Sequence, residues 1–329
     1  MKYSIIIPCY NSEDFVLQPL TSLKNQTYKN IEIVIVNDGS TDKSEEIIQN
    51  FIKNNSNLDV KYKRIENSGP SIARNTALEM ATGDYICFLD SDDTFDEHLF
   101  EEIENVISDD IDCVYWGYDE HDVRGNMIFR YTDIYQYFDD LTGIEVAQKK
   151  QLRQLYVHTC TGLYKRSIIK DNNLKFIEGV YLGEDINFIY KALFHCKKVK
   201  VIAKELYHYL YREDSLMHHK WSDKYLTEFV AIRDLLDYIK SNNIPDVYDY
   251  MYSYYYYTRC TVCKTRIKSM KWHQGFKFQK FVKISIPKVK KVKPIYLNKK
   301  QIRICNLYNF DKMLFFLVTK VYWMFKKDV

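Results

Sequence analysis

The sequence predicts a wound α/β domain whose mainly parallel sheet is flanked by helices, followed by a smaller, mostly helical C-terminal region. Three observations predict it. Over the first ~120 residues short β-branched apolar runs alternate with segments of helical periodicity, the pattern of repeated strand–helix units. With 46% apolar residues and only 10 Gly and 6 Pro in 329 residues, the chain can bury a core and is neither collagen-like nor wholly disordered. From residue 222 the strand-like runs give way to Tyr-rich helical periodicity, including Tyr254–Tyr257, so the division expected is 1–220 and 221–329.

Taken in order, Ser4-Ile5-Ile6-Ile7 is a strand stopped at Pro8, and Val16, Leu20 and Leu23 then fall on one helical face. Ile31 to Val36 is a second buried strand, followed by a helix from Thr41 to Phe51 with Ile47, Ile48 and Phe51 inward. Lys61 to Ile65 is a weaker strand, and a helix opens near Gly69-Pro70, where Pro suits the first turn. Tyr85 to Leu89 is a strand, and Leu99, Ile103 and Val106 mark the next helix. Cys113 to Tyr118 is a fifth strand, joined through a Gly125-Asn126 turn to one around Phe129 as a hairpin at the sheet edge. A polar helix spans Thr142 to Leu155, and Ile186, Ile189, Tyr190 and Leu193 define another.

The net charge of +3 conceals a division. From Arg259 to Val329 there are 19 Lys and Arg against Asp311 and Asp328, a balance of +17, while the first 258 residues carry −14. Such asymmetry points to an anionic partner for the tail, whether lipid head groups, a polyanionic polymer or nucleic acid. Met313 to Phe325 is too short to cross a bilayer and contains Lys320, but with Trp323, Phe325, Lys326 and Lys327 it suits the membrane interface. The eight Cys sit in apolar or aromatic stretches without the spacing of a disulfide framework, as expected of buried thiols in a reducing compartment. MKYSIII lacks the long apolar region of a secretion signal. The expected location is therefore cytoplasmic, peripheral at the inner face of the cell membrane. The Tyr clusters also permit self-association into a homo-oligomer.

Four chemistry-bearing segments follow consecutive strands, the edge at which open α/β sheets bind ligands. Pro8-Cys9-Tyr10-Asn11 offers a ring that can stack on a flat ligand. Asn37-Asp38-Gly39-Ser40-Thr41-Asp42 reads as a turn and helix cap, with Asp38 a potential acceptor for ring N–H or ribose hydroxyls. Glu66-Asn67-Ser68-Gly69-Pro70 precedes Arg74, a forked donor suited to phosphate. Leu89-Asp90-Ser91-Asp92-Asp93 places three carboxylates in four residues, which repel and raise one another's pKa unless a cation such as Mg²⁺ or Mn²⁺ neutralises them. Neither a Walker A loop nor G-x-G-x-x-G is present. Further on, Gly183-Glu184-Asp185 opens an amphipathic helix, where the macrodipole favours an ionised Asp185 able to take a proton from a hydroxyl. Cys260-Thr261-Val262-Cys263 and His218-His219 have no partners at zinc-ligand spacing and read as structural.

In combination these segments, with Ala73-Arg74-Asn75 and Gly83-Asp84-Tyr85, resemble glycosyltransferase family 2 over residues 1 to 215. The resemblance implies a GT-A fold and an inverting transferase that uses a nucleotide-diphosphate sugar, most commonly a UDP-sugar, with Mn²⁺ or Mg²⁺. It implies further that Pro8, Tyr10 and Asp38 contact base and ribose, that Asn67 and Arg74 complete the nucleotide pocket, and that Asp92 holds the metal with Asp90 nearer the ribose. Asp185 would be the general base with Glu184 beside it, and Tyr207-His208-Tyr209 with Tyr211-Arg212-Glu213-Asp214-Ser215 would close over the pyrophosphate through Arg212. The acceptor expected is a hydroxyl of a growing surface glycan or a lipid-linked acceptor, in the manner of bacterial surface-polysaccharide enzymes. The run His158-Thr159-Cys160-Thr161-Gly162 departs from relatives, which carry Trp or Asn with Lys there, so the acceptor side is the least transferable. A nucleotidyltransferase of related fold is the alternative enzyme, but it lacks a Gly-rich phosphate loop here. Nucleic-acid binding by the basic tail would leave Asp90, Asp92 and Asp185 without a purpose, and no nucleic acid is expected as a partner.

Overall fold

A computed structural model of the chain describes residues 1–134, 138, 140–212, 224, 227–244, 247, 251–252 and 303. Tyr254–Tyr257, Cys260, Cys263, Cys305, His218, His219, Glu213–Ser215, Met313–Phe325 and, apart from Arg303, the basic stretch lie outside the described residues. Two compact units are distinguished, residues 1–180 with 184–215, and residues 181–183 with 216–329.

In the first unit the strand–helix alternation gives β1 (Tyr3–Cys9), α1 (Leu17–Lys24), β2 (Ile31–Asn37), α2 (Ser44–Asn54), β3 (Asp59–Arg64), α3 (Pro70–Met80) and β4 (Tyr85–Phe88). These strands pair in parallel in the order β3-β2-β1-β4. Every residue of β2 is buried, as its apolar run requires of a strand covered on both faces. Its one acid, Glu32, is met by the Ser4 hydroxyl at 2.6 Å, the Thr82 amide at 2.8 Å and the Lys2 and Lys61 ammonium groups. Burial alone would raise the pKa of this carboxyl, but the Lys61, Ser4 and Thr82 contacts outweigh it and hold the group below its ordinary value.

Beyond β4 the chain departs from simple alternation. It forms β5 (Thr94–Phe95), α4 (Leu99–Glu104), β6 (Cys113–His121), β7 (Met127–Arg130), α5 (Gly143–Gln151), β8 (Gly162–Lys165), α6 (Arg166–Asp171), α7 (Glu184–His195) and β9 (Val199–Leu210). The sheet continues β4-β8-β6-β9-β5, with β7 paired to β6 as the expected hairpin. β8 runs antiparallel to both β4 and β6, β9 runs parallel to β6, and β5 runs antiparallel to β9. The mainly parallel expectation therefore holds through the first four strands, and a mixed sheet follows because β8 is inserted in reverse. β5, β8 and β9 are too short or too mixed in polarity to stand out by periodicity.

This topology positions the site. Strand order reverses at β1, with β2 on one side and β4 on the other, which opens a crevice at their C-terminal ends. Pairing of Thr94 with His208 and Phe95 with Tyr207 carries the segment after the Asp90–Asp93 turn against the end of β9. Phe88, Phe176, Phe188 and Tyr164 pack beneath the crevice, with Phe176 and Phe188 stacked at 4.3 Å between ring centroids. Cys9, Cys87, Cys113, Cys160 and Cys196 are buried free thiols.

In the second unit, α8 (Thr227–Ser241) buries Phe229, Ile232, Leu235, Leu236 and Ile239 at helical spacing. The Thr227 hydroxyl accepts from the Tyr181 amide at 2.8 Å. Among the described residues no helix is long and apolar enough to cross a membrane.

Candidate active site

The segments singled out in the sequence are stitched to one another. The Asn11 amide donates to Ser40 Oγ at 3.0 Å and Asn11 Oδ1 accepts from the Thr41 amide at 2.8 Å, joining the loops after β1 and β2. Ser12 and Ser91 share a hydrogen bond at 2.7 Å, joining the first loop to the acidic turn. Pro8 is half-buried at the end of β1, and the Tyr10 ring is exposed beside it.

Asp38 is buried, and its two carboxylate oxygens accept from the Ser68 amide at 2.7 Å and the Gly69 amide at 2.9 Å. The residue thus ties the second loop to the third, and each oxygen keeps a further lone pair for a ligand donor. Gly39 makes the approach feasible: it has φ +72°, and a Cβ there would lie 2.7 Å from the Asn67 nitrogen. Asn67 itself is exposed.

Arg74 is engaged by carboxylates of the chain itself. Its guanidinium is buried on α3, reaching Asp90 Oδ1 at 2.9 Å and Glu184 Oε1 at 3.5 Å, over the Phe176 ring at 5.3 Å. The forked donation expected for a phosphate goes to two carboxylates, because a buried cation needs its counter-charges close. The consequence is geometric. Arg74 brings the first turn of α7, which carries Asp185, to the acidic turn at the end of β4.

Within that turn the three carboxyls have separate fates. Burial pushes Asp90 up, but the Arg74 guanidinium wins and holds it below its ordinary value. Asp92 is raised by burial and by the Asp90 charge, although Arg212 donates to its Oδ2 at 2.6 Å. Asp93 is raised well above its ordinary value by burial and by both neighbours, and it is structural: it accepts from the Tyr207 hydroxyl and, at 2.7 Å, from the Leu210 amide. The expected crowding of like charges is therefore present. A carboxyl raised in this way, all-oxygen and 23% exposed, fits a hard divalent ion, which would favour its ionised form. Asp92 would be the ligand, with the second oxygen of Asp90 within the same turn.

At the start of α7, Glu184 is held up at about 7 by burial and by the adjacent Asp185 charge. Because this value lies above the ordinary 4.5, the native state favours protonated Glu184. The stability it contributes is full below about pH 4.5 and is lost as pH rises through 7. Thermal melts across that window are expected to show a falling component in the wild type that is absent from Glu184→Gln.

Two half-buried side chains near Asp185, His158 and Lys150, are not singled out as site candidates by the sequence. His158 stacks on Tyr207 at 6.0 Å between centroids, and its Nδ1 accepts from the Cys160 amide at 3.4 Å. Burial lowers its pKa, with Asp185 and Asp90 opposing. Lys150 of α5 donates to the Val157 carbonyl, and burial lowers its pKa against the pull of Asp185. His158 carried a signal as a departure from a resembled pattern, whereas Lys150 lay in an unremarkable polar helix.

A crevice at the strand-order reversal, an acidic turn and a carboxylate-bearing helix start fastened to that turn together form one candidate ligand site. The family model described as glycosyl transferase family 2 matches residues 4–172, and the chain belongs to that family. It is 31% identical over 251 residues to the uncharacterized glycosyltransferase YibD of Escherichia coli, covering 73% of this chain and 72% of that one. It is 30% identical over 270 residues to the minor teichoic acid biosynthesis protein GgaB of Bacillus subtilis, covering 76% of this chain but only 28% of GgaB. The crystal structure of Staphylococcus aureus TarS 1-349 in complex with UDP-GlcNAc superposes with a TM-score of 0.75 at 22% identity, covering 100% of this chain and 94% of that one. The protein is a glycosyltransferase, and among its relatives GgaB is named for minor teichoic acid biosynthesis.

Proposed function

We propose that the protein transfers a sugar from a UDP-sugar to a hydroxyl of a surface glycan or lipid-linked acceptor, with inversion at the anomeric carbon. The observation that carries this reading is the Arg74 bridge between Asp90 and Glu184, which supports a role for the neighbouring Asp185 at the same crevice as the acidic turn. TarS, similar in fold, is known in complex with UDP-GlcNAc, which supports a uridine carrier here.

In this proposal Tyr10 and Pro8 flank the base, Asp38 and Asn67 accept from base and ribose, and Asp90 lies nearer the ribose. Arg212, held at Asp92 and stacked over Phe15 at 4.4 Å, turns its guanidinium to the diphosphate. Mn²⁺ or Mg²⁺ held by Asp92 would offset the charge that builds on the departing diphosphate. The acceptor oxygen attacks the anomeric carbon from the face opposite the diphosphate, whose oxygen leaves with the bonding pair. Asp185 takes the hydroxyl proton. No second carboxylate is needed as a covalent nucleophile, because one displacement inverts the centre. The tail beyond Arg259, with its balance of +17, would hold the enzyme at an anionic membrane face.

Binding of a nucleoside-diphosphate panel with and without Mn²⁺ tests the donor side. UDP is expected to bind the wild type in a metal-dependent manner and to lose that dependence in Asp92→Asn. Equal binding of UDP to both proteins with and without Mn²⁺ would remove Asp92 from the donor site.

A further inference from the structure

Outside the acidic turn, the described residues bring together a second cluster of different chemistry. Asp119 and His121 are two apart on β6 and so point to the same face, and Asp119 pairs directly with His208 on the parallel strand β9. His121 Nε2 lies 3.0 Å and His208 Nδ1 2.7 Å from the same oxygen, Asp119 Oδ1. All three ligand atoms fall within 4.8 Å of one another. The cluster lines a cavity of about 510 Å³ that Asp92 and Phe15 also line.

We infer that Asp119, His121 and His208 form a binding site for a borderline first-row divalent cation such as Zn²⁺, separate from the carboxylate site at Asp92.

The donor set selects the ion. Two imidazoles and one carboxylate suit zinc-like ions, whereas the all-oxygen turn at Asp90–Asp92 suits Mg²⁺ or Mn²⁺. Three protein ligands leave a fourth position, the pattern of an open zinc site, and here all three residues line the cavity. The hydrogen bonding of His121 fits the same reading. Its Nδ1 faces the Gly125 carbonyl at 3.4 Å while its Nε2 faces the Asp119 carboxylate, so both nitrogens of one ring confront acceptors. A neutral imidazole carries one N–H and satisfies only one of them. With Nδ1–H directed at the Gly125 carbonyl, Nε2 presents its lone pair toward Asp119, and a cation between the two replaces a repulsion with two bonds. Donation of the second ring N–H to a backbone carbonyl is the outer-shell arrangement of metal-ligating histidines. The spacing is near what an ion requires: bonds of about 2.0–2.1 Å in a tetrahedron separate ligand atoms by about 3.3 Å, so a shift of a few tenths of an ångström admits it. Asp119 is almost fully buried, whereas His121 and His208 keep 26% and 31% of their side chains exposed, which leaves a path for entry.

The test uses the full chain, stripped of metal and held in excess Mg²⁺ to fill the acidic turn. Zn²⁺ is titrated calorimetrically, and Co²⁺ is followed by its visible absorption, which distinguishes four-coordinate from six-coordinate ions. One Zn²⁺ per chain is expected, with four-coordinate Co²⁺ spectra. Loss of a direct ligand in His121→Gln or His208→Gln should weaken binding by more than the roughly 10–100-fold cost of losing an outer-shell partner. Asp92→Asn should bind Zn²⁺ as the wild type does. His121 lies in the exposed hairpin region, so its variant decides the matter should His208→Gln melt without cooperativity. Undiminished Zn²⁺ binding by His121→Gln, loss of the site in Asp92→Asn, or absence of stoichiometric Zn²⁺ binding by the wild type would each overturn the assignment. Ion binding is read directly in every arm, so the outcome is independent of whether the transfer reaction proposed above is correct.

Discussion

Asp185→Asn is expected to lower turnover by about 10²–10⁴-fold, the usual contribution of a positioned general base, while leaving UDP affinity within about twofold. The two halves of that result separate chemistry from binding. Asp185 lies in the first turn of α7, and in the proposed reaction its carboxylate receives a proton, while nucleotide binding is assigned to the loops after β1, β2 and β4. The amide of asparagine keeps the shape and removes the proton acceptor. A fall in UDP affinity comparable to the fall in turnover would instead make Asp185 a donor-binding residue. Glu184→Gln provides the contrast, since Glu184 is engaged by Arg74 and favours its protonated form, and its variant should retain most of the turnover.

Arg74→Ala is expected to be the most destabilising single change near the site, by about 3 kcal/mol in urea-induced unfolding. Removal of the guanidinium leaves Asp90 without its counter-charge and Glu184 without its donor, and it also empties the contact over Phe176. The lower end of the range for broken buried pairs applies because the Asp90 side chain remains 29% exposed and can be rehydrated. Arg74→Lys should fall between, since it keeps the charge but cannot span both carboxylates with one planar fork. The same variants should raise the pKa of Asp90, which the guanidinium now holds down.

Much of the fold is legible in the sequence. β1, β2 and β4 are apolar runs followed by polar turns, β1 continuing through Pro8 to Cys9, and a run of that kind has few alternatives to a buried parallel strand. Asp38, Asp90, Asp92 and Asp185 were singled out because strand ends and helix starts are where such residues gather a ligand. What stayed hidden depends on long-range pairing. β5 is two residues long, and β9 finds its place only by pairing with β6 and β5, so nothing local placed Leu210 and Tyr207 on Asp93 or Arg212 on Asp92. Nor does any local pattern show that Asp90, 16 positions on, and Glu184, 110 positions on, close around Arg74. His208 stands 89 residues from Asp119, and no spacing rule joins residues so far apart.

The central claim is a single displacement directed by Asp185 at the crevice between Asp92 and α7. Proton NMR of the sugar released in the first minutes when water serves as acceptor for an α-linked UDP-sugar, with Mn²⁺ present, tests it without knowledge of the natural acceptor. The account predicts that the sugar appears first as the β anomer and that its release is lost in Asp185→Asn. Initial release of the α anomer, or an undiminished rate in that variant, would contradict it.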